Sequence, residues 1–151
     1  MKKPTLRSFR KTLRTFERLN QLLNTRCCTE ITLAQCHVLL EIEEYTEATT
    51  ILLADNLKLD KSTLSRTIDR LVDTGMVERR SHPSDRRFTL LVLSEKGKKT
   101  CDEINRISDD IHKQVFQEIT SVRHEQIIDH MEIYVRAMAE YYRKRDNDLL
   151  H

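Results

Sequence analysis

The side chains best placed to do chemistry here are hydroxyls and guanidiniums, and the chemistry they suit is recognition. Between Asp60 and Gly75, small hydroxyls and cations alternate with aliphatics at helical spacing. Leu64, Ile68, Leu71 and Val72 fall at i, i+4, i+7 and i+8, which buries one face of a helix. The other face then presents Lys61, Ser62, Thr63, Ser65, Arg66, Thr67 and Arg70. Short hydroxyl side chains let the helix N-terminus enter a major groove, where the helix dipole favours phosphate. Arginines add bidentate bonds to guanine edges or phosphates. Downstream, the polar turn His82-Pro83-Ser84-Asp85-Arg86-Arg87 carries a second basic group, suited to the narrow minor groove beside it. Taken singly, each feature is ordinary solvated surface; their order and spacing together point to duplex DNA.

A second set of residues could bind or react with a soft electrophile. Cys27 and Cys28 are adjacent, Cys36 is followed by His37, and Cys101 stands apart. Thiols with an imidazole suit a soft metal ion, a trivalent metalloid or an oxidant. No C-x-x-C pair is present, and the plainer reading makes Cys36 and Cys101 small core residues. The histidines His112, His124, His130 and His151 read as solvated surface, because His124 and His130 lack the i, i+4 spacing of paired ligands. His82, in the wing, could touch phosphate, but the plainer reading is a turn residue facing water. No nucleophile elbow or paired-carboxylate setting occurs, so the expectation is a non-enzymatic protein with no required cofactor.

These residues need a frame, and the hydrophobic periods supply one. A helix over 5–25 places Leu6, Phe9, Leu13, Phe16 and Leu23 on a heptad seam with Asn20 in its one polar slot. Thr32 and Gln35 form a capping box for a helix over about 33–45, with Leu33, Val38, Leu39 or Leu40, and Ile42 inward. Thr49 caps a short helix over 50–57, and Asp60 caps the polar-faced helix over 61–74, which Gly75 ends. The period then changes to that of strands at 76–80 and 88–93, joined by the basic turn. Ser94 caps a long helix over 95–119, Thr120-Ser121 interrupts it, and a last helix covers 122–146 with Ile127, Ile128, Met131, Val135, Met138 and Tyr142 on one side. The expected fold is mainly α: four helices, a β-wing and two further helices, a winged helix-turn-helix.

Composition agrees. Two glycines exclude a phosphate-cradling loop or dinucleotide fingerprint, and two prolines with two glycines are too few turn residues for an all-β chain. At 151 residues the chain suits one domain with an oligomerisation extension. The net charge of +2 hides a basic N-terminus, where residues 1–26 carry eight Lys/Arg against one acid. Those cations read as the wet face of the first helix more readily than as a phosphate contact. The longest aliphatic run, Leu90-Leu91-Val92-Leu93, is far below the ~20 residues that span a bilayer. With no apolar leader at the start, the expected location is the cytoplasm, away from membranes.

Residues 32–97 resemble the MarR family of transcription regulators. The resemblance lies in Leu53-Ala54, in Leu59-Asp60-Lys61-Ser62-Thr63-Leu64-Ser65-Arg66, in Asp69-Arg70-Leu71 and in Gly75-Met76-Val77-Glu78-Arg79. It continues through Asp85-Arg86-Arg87 and Leu93-Ser94-Glu95-Lys96-Gly97, with Ser94 where the family commonly has Thr. It implies that Lys61, Ser62, Thr63, Ser65, Arg66 and Arg70 contact DNA, and that Arg86 and Arg87 work in the minor groove with Asp85 orienting Arg87. It also implies a DNA-binding domain over 32–97, with 1–31 and 98–151 forming a helical dimerisation region. A homodimer of this type binds a pseudo-palindromic operator with half-sites one helical turn, about 34 Å, apart, usually as a repressor that an effector releases. In the family the places of Cys27, Cys28, Cys36, His37 and Cys101 surround the effector pocket. The effector is then a small aromatic ligand, or a metal or oxidant at the thiols. The alternative is a dimeric thiol-based metal or redox sensor whose helix-turn-helix contacts protein.

Overall fold

The computed structural model describes residues 4–27 and 30–148. Its elements run α1 (Leu6–Cys27), α2 (Leu33–Glu44), β1 (Ala48–Thr49), α3 (Thr50–Leu57), α4 (Lys61–Asp73), β2 (Val77–Ser81), β3 (Thr89–Leu93), α5 (Glu95–Gln117), a 3-10 turn (Ser121–Arg123) and α6 (His124–Asp148). The expected winged helix-turn-helix is present. It carries one strand more than the hydrophobic pattern showed, because β1 is too short to display an alternation. The sheet is antiparallel in the order β1-β3-β2, with Ala48 opposite Leu91 and Arg79 opposite Leu91 on the other side.

The helix boundaries follow from their caps. Thr32 closes a full capping box with Gln35, and the Thr49 hydroxyl accepts the Leu52 N–H at 3.2 Å. Lys58, left-handed at φ 51°, turns the chain between α3 and α4. Gly75, at φ 72°, ends α4 in the conformation that glycine adopts without steric cost. The Ser94 hydroxyl accepts the Gly97 N–H at 3.0 Å and donates to the Gly75 carbonyl at 2.6 Å, so it caps α5 and ties it to the end of α4.

The chain divides into two compact units, Met1–Asp109 and Asp110–His151. The core of the first gathers Val38, Leu39 and Ile42 of α2, Leu53 of α3, and Leu64, Ile68 and Leu71 of α4, closed by Val77, Leu91, Leu93 and Cys101. Each buried leucine or isoleucine contributes about 2 kcal/mol of transfer free energy, which fixes the inner face of α4. Several expected assignments change. Leu33 is 41% exposed, while Cys36 takes an inward place one turn later. Thr67 is buried, because position 67 lies one turn from both Leu64 and Leu71; its hydroxyl is satisfied by the Thr63 carbonyl at 2.9 Å. In the second unit His124 is half-buried instead of solvated: its Nε2 meets the Ile119 carbonyl at 2.9 Å and its ring packs edge-on to Phe116. Along α6, Ile128, Met131, Val135, Met138 and Tyr142 are exposed at alternating spacings of three and four.

Candidate nucleic-acid interface

The outer face of α4 is built outward from its N-cap. The Asp60 carboxylate accepts the Thr63 N–H at 2.9 Å and the Ser62 hydroxyl at 2.7 Å. These bonds, led by those from Thr63 and Ser62, hold the Asp60 carboxyl well below the usual carboxylate range, so it stays ionised. Past the cap, Lys61, Ser62, Ser65, Arg66 and Arg70 are exposed and Thr63 is half-buried. Arg66 Nη2 reaches the Thr63 hydroxyl at 3.5 Å, which lays the guanidinium along the helix toward its N-terminus. Thr67 leaves this face for the core, as described above.

The wing is anchored at its base and ordered at its tip. At the base, Arg79 Nη2 donates to Asp69 Oδ1 at 2.6 Å, joining β2 to α4 across ten residues of sequence. At the tip, Asp85 receives the Arg87 backbone N–H at 3.0 Å and both Nε and Nη2 of its guanidinium, at 3.0 and 2.7 Å. This fork lowers the Asp85 pKa and raises that of Arg87, the side-chain hydrogen bonds between them being the main cause in each case. The Arg87 side chain is 86% exposed while that of Asp85 is 29% exposed, so the acid is recessed and the cation projects. Arg86, beside it, is exposed. Sequence reasoning missed His82, whose Nδ1 accepts the Ser84 and Asp85 N–H groups, each at 3.1 Å. It also missed the Asp69–Arg79 pair, because only the fold brings those positions together.

The thiol residues have a different setting. Cys36 and Cys101 are buried, while His37 is exposed on α2. Cys27 ends α1; its side chain, and all of Cys28, lie outside the described residues. Among the described residues no group of three or more His, Cys, Asp or Glu side chains could hold a metal ion. Burial pushes the Cys101 thiol up to about 12, with the nearby carboxylates of Glu43 and Asp102 adding to the effect. A thiol so held is protonated at neutral pH and is a poor nucleophile. No helix among the described residues is long and apolar enough to cross a membrane.

A hydroxyl-and-arginine helix face beside a hairpin tipped by a projecting arginine defines a winged helix-turn-helix protein. Residues 31–89 match the model of the MarR family. Over that segment the chain is similar to the MarR family. It is 33% identical over 93 residues to the multiple antibiotic resistance protein MarR of Escherichia coli K12, a match covering 61% of this chain and 65% of that relative's length. A solved MarR transcriptional regulator of Methanosarcina mazei superposes with a TM-score of 0.77 at 26% identity, covering 88% of this chain and 97% of that one. The RV1404 protein of Mycobacterium tuberculosis shares the fold with a TM-score of 0.74 at 18% identity, over 90% of this chain and 95% of that one.

Proposed function

We propose that the chain is a transcription regulator that binds duplex DNA as a homodimer and represses the genes beside a pseudo-palindromic operator. The observation that carries this reading is the Asp85–Arg87 fork, which holds a projecting guanidinium at the wing tip of a molecule whose α4 displays Lys61, Ser62, Ser65, Arg66 and Arg70. In this reading α4 enters the major groove. Arg66 and Arg70 bond guanine edges or phosphates, and Arg86 and Arg87 enter the minor groove at each side of the site. Residues 32–97 form the DNA-binding domain, and 1–31 with 98–151 form the dimerisation region.

Two further features support the second copy. Leu6, Phe9 and Phe16 of α1 and the α6 series from Ile128 to Tyr142 are apolar side chains left exposed at heptad spacing in a single chain. A two-fold dimer buries such seams and sets two α4 helices one turn of DNA apart, about 34 Å. An effector releases the complex. The burial of Cys36 and the protonated state of Cys101 favour a small aromatic ligand over a metal or an oxidant at the cysteines.

The test is a titration of wild-type and Arg87→Ala protein against a duplex selected from a random pool by the wild-type protein. Loss of the guanidinium weakens binding at least about tenfold. Binding of the wild type falls steeply with salt, as counterion release requires. A chain that sediments as a single protomer and ignores every duplex overturns the reading.

A further inference from the structure

We propose that His82 is a positioning residue of the wing: its neutral imidazole folds the turn that aims the Asp85–Arg87 fork, and acid releases that turn. The proposal rests on the DNA-binding reading for its consequence, though not for its geometry.

Two backbone donors converge on one ring atom. The N–H groups of Ser84 and Asp85 both donate to His82 Nδ1, each at 3.1 Å. A ring nitrogen that accepts carries its lone pair there, so the proton sits on Nε2, which faces Glu47 Oε2 at 3.6 Å. Pro83 has no N–H, so Ser84 and Asp85 supply the first two free donors of the turn. The imidazole thus does what an Asx side chain does in tighter turns. Two backbone bonds close the same loop: His82 N–H to the Phe88 carbonyl and Phe88 N–H to the Asp85 carbonyl, both at 3.1 Å. Phe88 also sets its ring edge-on to the imidazole, and the His82 side chain is only 21% exposed. One residue therefore holds the Asp85 backbone from below while the Asp85 carboxylate holds Arg87 from above.

The arrangement depends on charge. The charged groups facing the ring are Glu47, from the turn before β1, and Asp85, in the wing itself. Protonation would strengthen attraction to both. Glu47 is 62% exposed, so water screens much of its share, and Asp85 is already committed to Arg87. Protonation also places an N–H against two N–H donors at hydrogen-bond distance, which removes both bonds at once. The direct loss outweighs the screened gain, and the turn opens.

The experiment uses the full chain in two measurements. In the first, without DNA, the backbone amide resonances of Ser84 and Asp85 are followed from about pH 8 to about pH 5.5 alongside those of the His82 ring. Both amides must move with the ring. Amides that stay still while the ring titrates overturn the proposal, whatever the chain binds. In the second, affinity for the selected duplex is measured over the same range for wild type, His82→Asn and His82→Ala. The asparagine carbonyl occupies the place of Nδ1 and does not titrate. Wild type binds about fivefold or more weakly in acid. His82→Asn keeps the neutral-pH affinity within about twofold and loses the acid response, while His82→Ala is weak throughout. An acid response that survives in His82→Asn, or a His82→Ala protein that binds like wild type at neutral pH, overturns the proposal. Coupled amides in a protein that binds no duplex leave the turn geometry standing and overturn the DNA reading alone.

Discussion

The carboxylate of Asp69, on the exposed side of α4, and the guanidinium of Arg79, on β2, meet at 2.6 Å and join the helix that displays hydroxyls to the hairpin that displays arginines. Both side chains are about half exposed, so the pair contributes no more than about 1 kcal/mol to folding. Its larger effect is on the angle between wing and helix. Arg79→Ala should therefore shift the urea midpoint only slightly, while affinity for the selected duplex drops about threefold to tenfold. Exchanging the partners, Asp69→Arg with Arg79→Asp, restores part of that affinity. Comparable losses of stability and affinity would show that the pair does not orient the wing.

The two glycines make different predictions about an added methyl group. A Cβ at Gly97 would run into the Met76 carbonyl oxygen, which accepts the Ser94 N–H at 3.0 Å. Backbone on both sides leaves nothing to yield, so Gly97→Ala costs about 2 kcal/mol or more in a urea melt. At Gly75 the space is open and the only penalty is the left-handed backbone, so Gly75→Ala costs about 1 kcal/mol. Equal costs would mean that α5 shifts freely against the end of α4.

The Cys101 thiol lies at about 12 in the folded chain, against 9.0 for its ordinary value. The folded state binds this proton more tightly than the unfolded state. The stabilisation is therefore whole below pH 9.0 and is lost as the pH rises from there toward about 12. In urea melts from about pH 8 to about pH 10.5, wild type should lose stability more steeply than Cys101→Ala. Parallel curves would place the thiol in a wetter setting than α5 gives it. At pH 8 the native thiol should also resist iodoacetamide until urea unfolds the chain.

Much of the architecture was readable residue by residue. The caps Thr32, Thr49, Asp60 and Ser94 and the stop at Gly75 announce themselves through local chemistry, so the helices fell within a few residues of their places. Thr67 was misassigned because its type outweighed its phase: 64, 67, 68 and 71 are one helical stripe, and the methyl group goes inward while the hydroxyl returns to its own helix. Ala48-Thr49 escaped notice because a two-residue strand has no period, and it exists only because β3 offers it an edge. On the recognition side, the exposed face of α4 and the arginines at the wing tip were visible as residue types, while the pairing of Asp85 with Arg87 was implied only by the resemblance to the MarR family. His82 was not, because its role arises from two amides folding back onto one ring atom after Pro83.

Asp60 closes the end of α4 with its own negative charge, already bonded to the amide and hydroxyl that would otherwise welcome a phosphate. The helix thus carries a built-in counter-anion at the tip where indiscriminate attraction to a polyanion would be strongest. On the proposed DNA-binding reading, such a head would leave unmatched stretches of duplex quickly and linger where Lys61, Ser65, Arg66 and Arg70 find partners. On that reading the helix-capping acid would serve discrimination as well as folding.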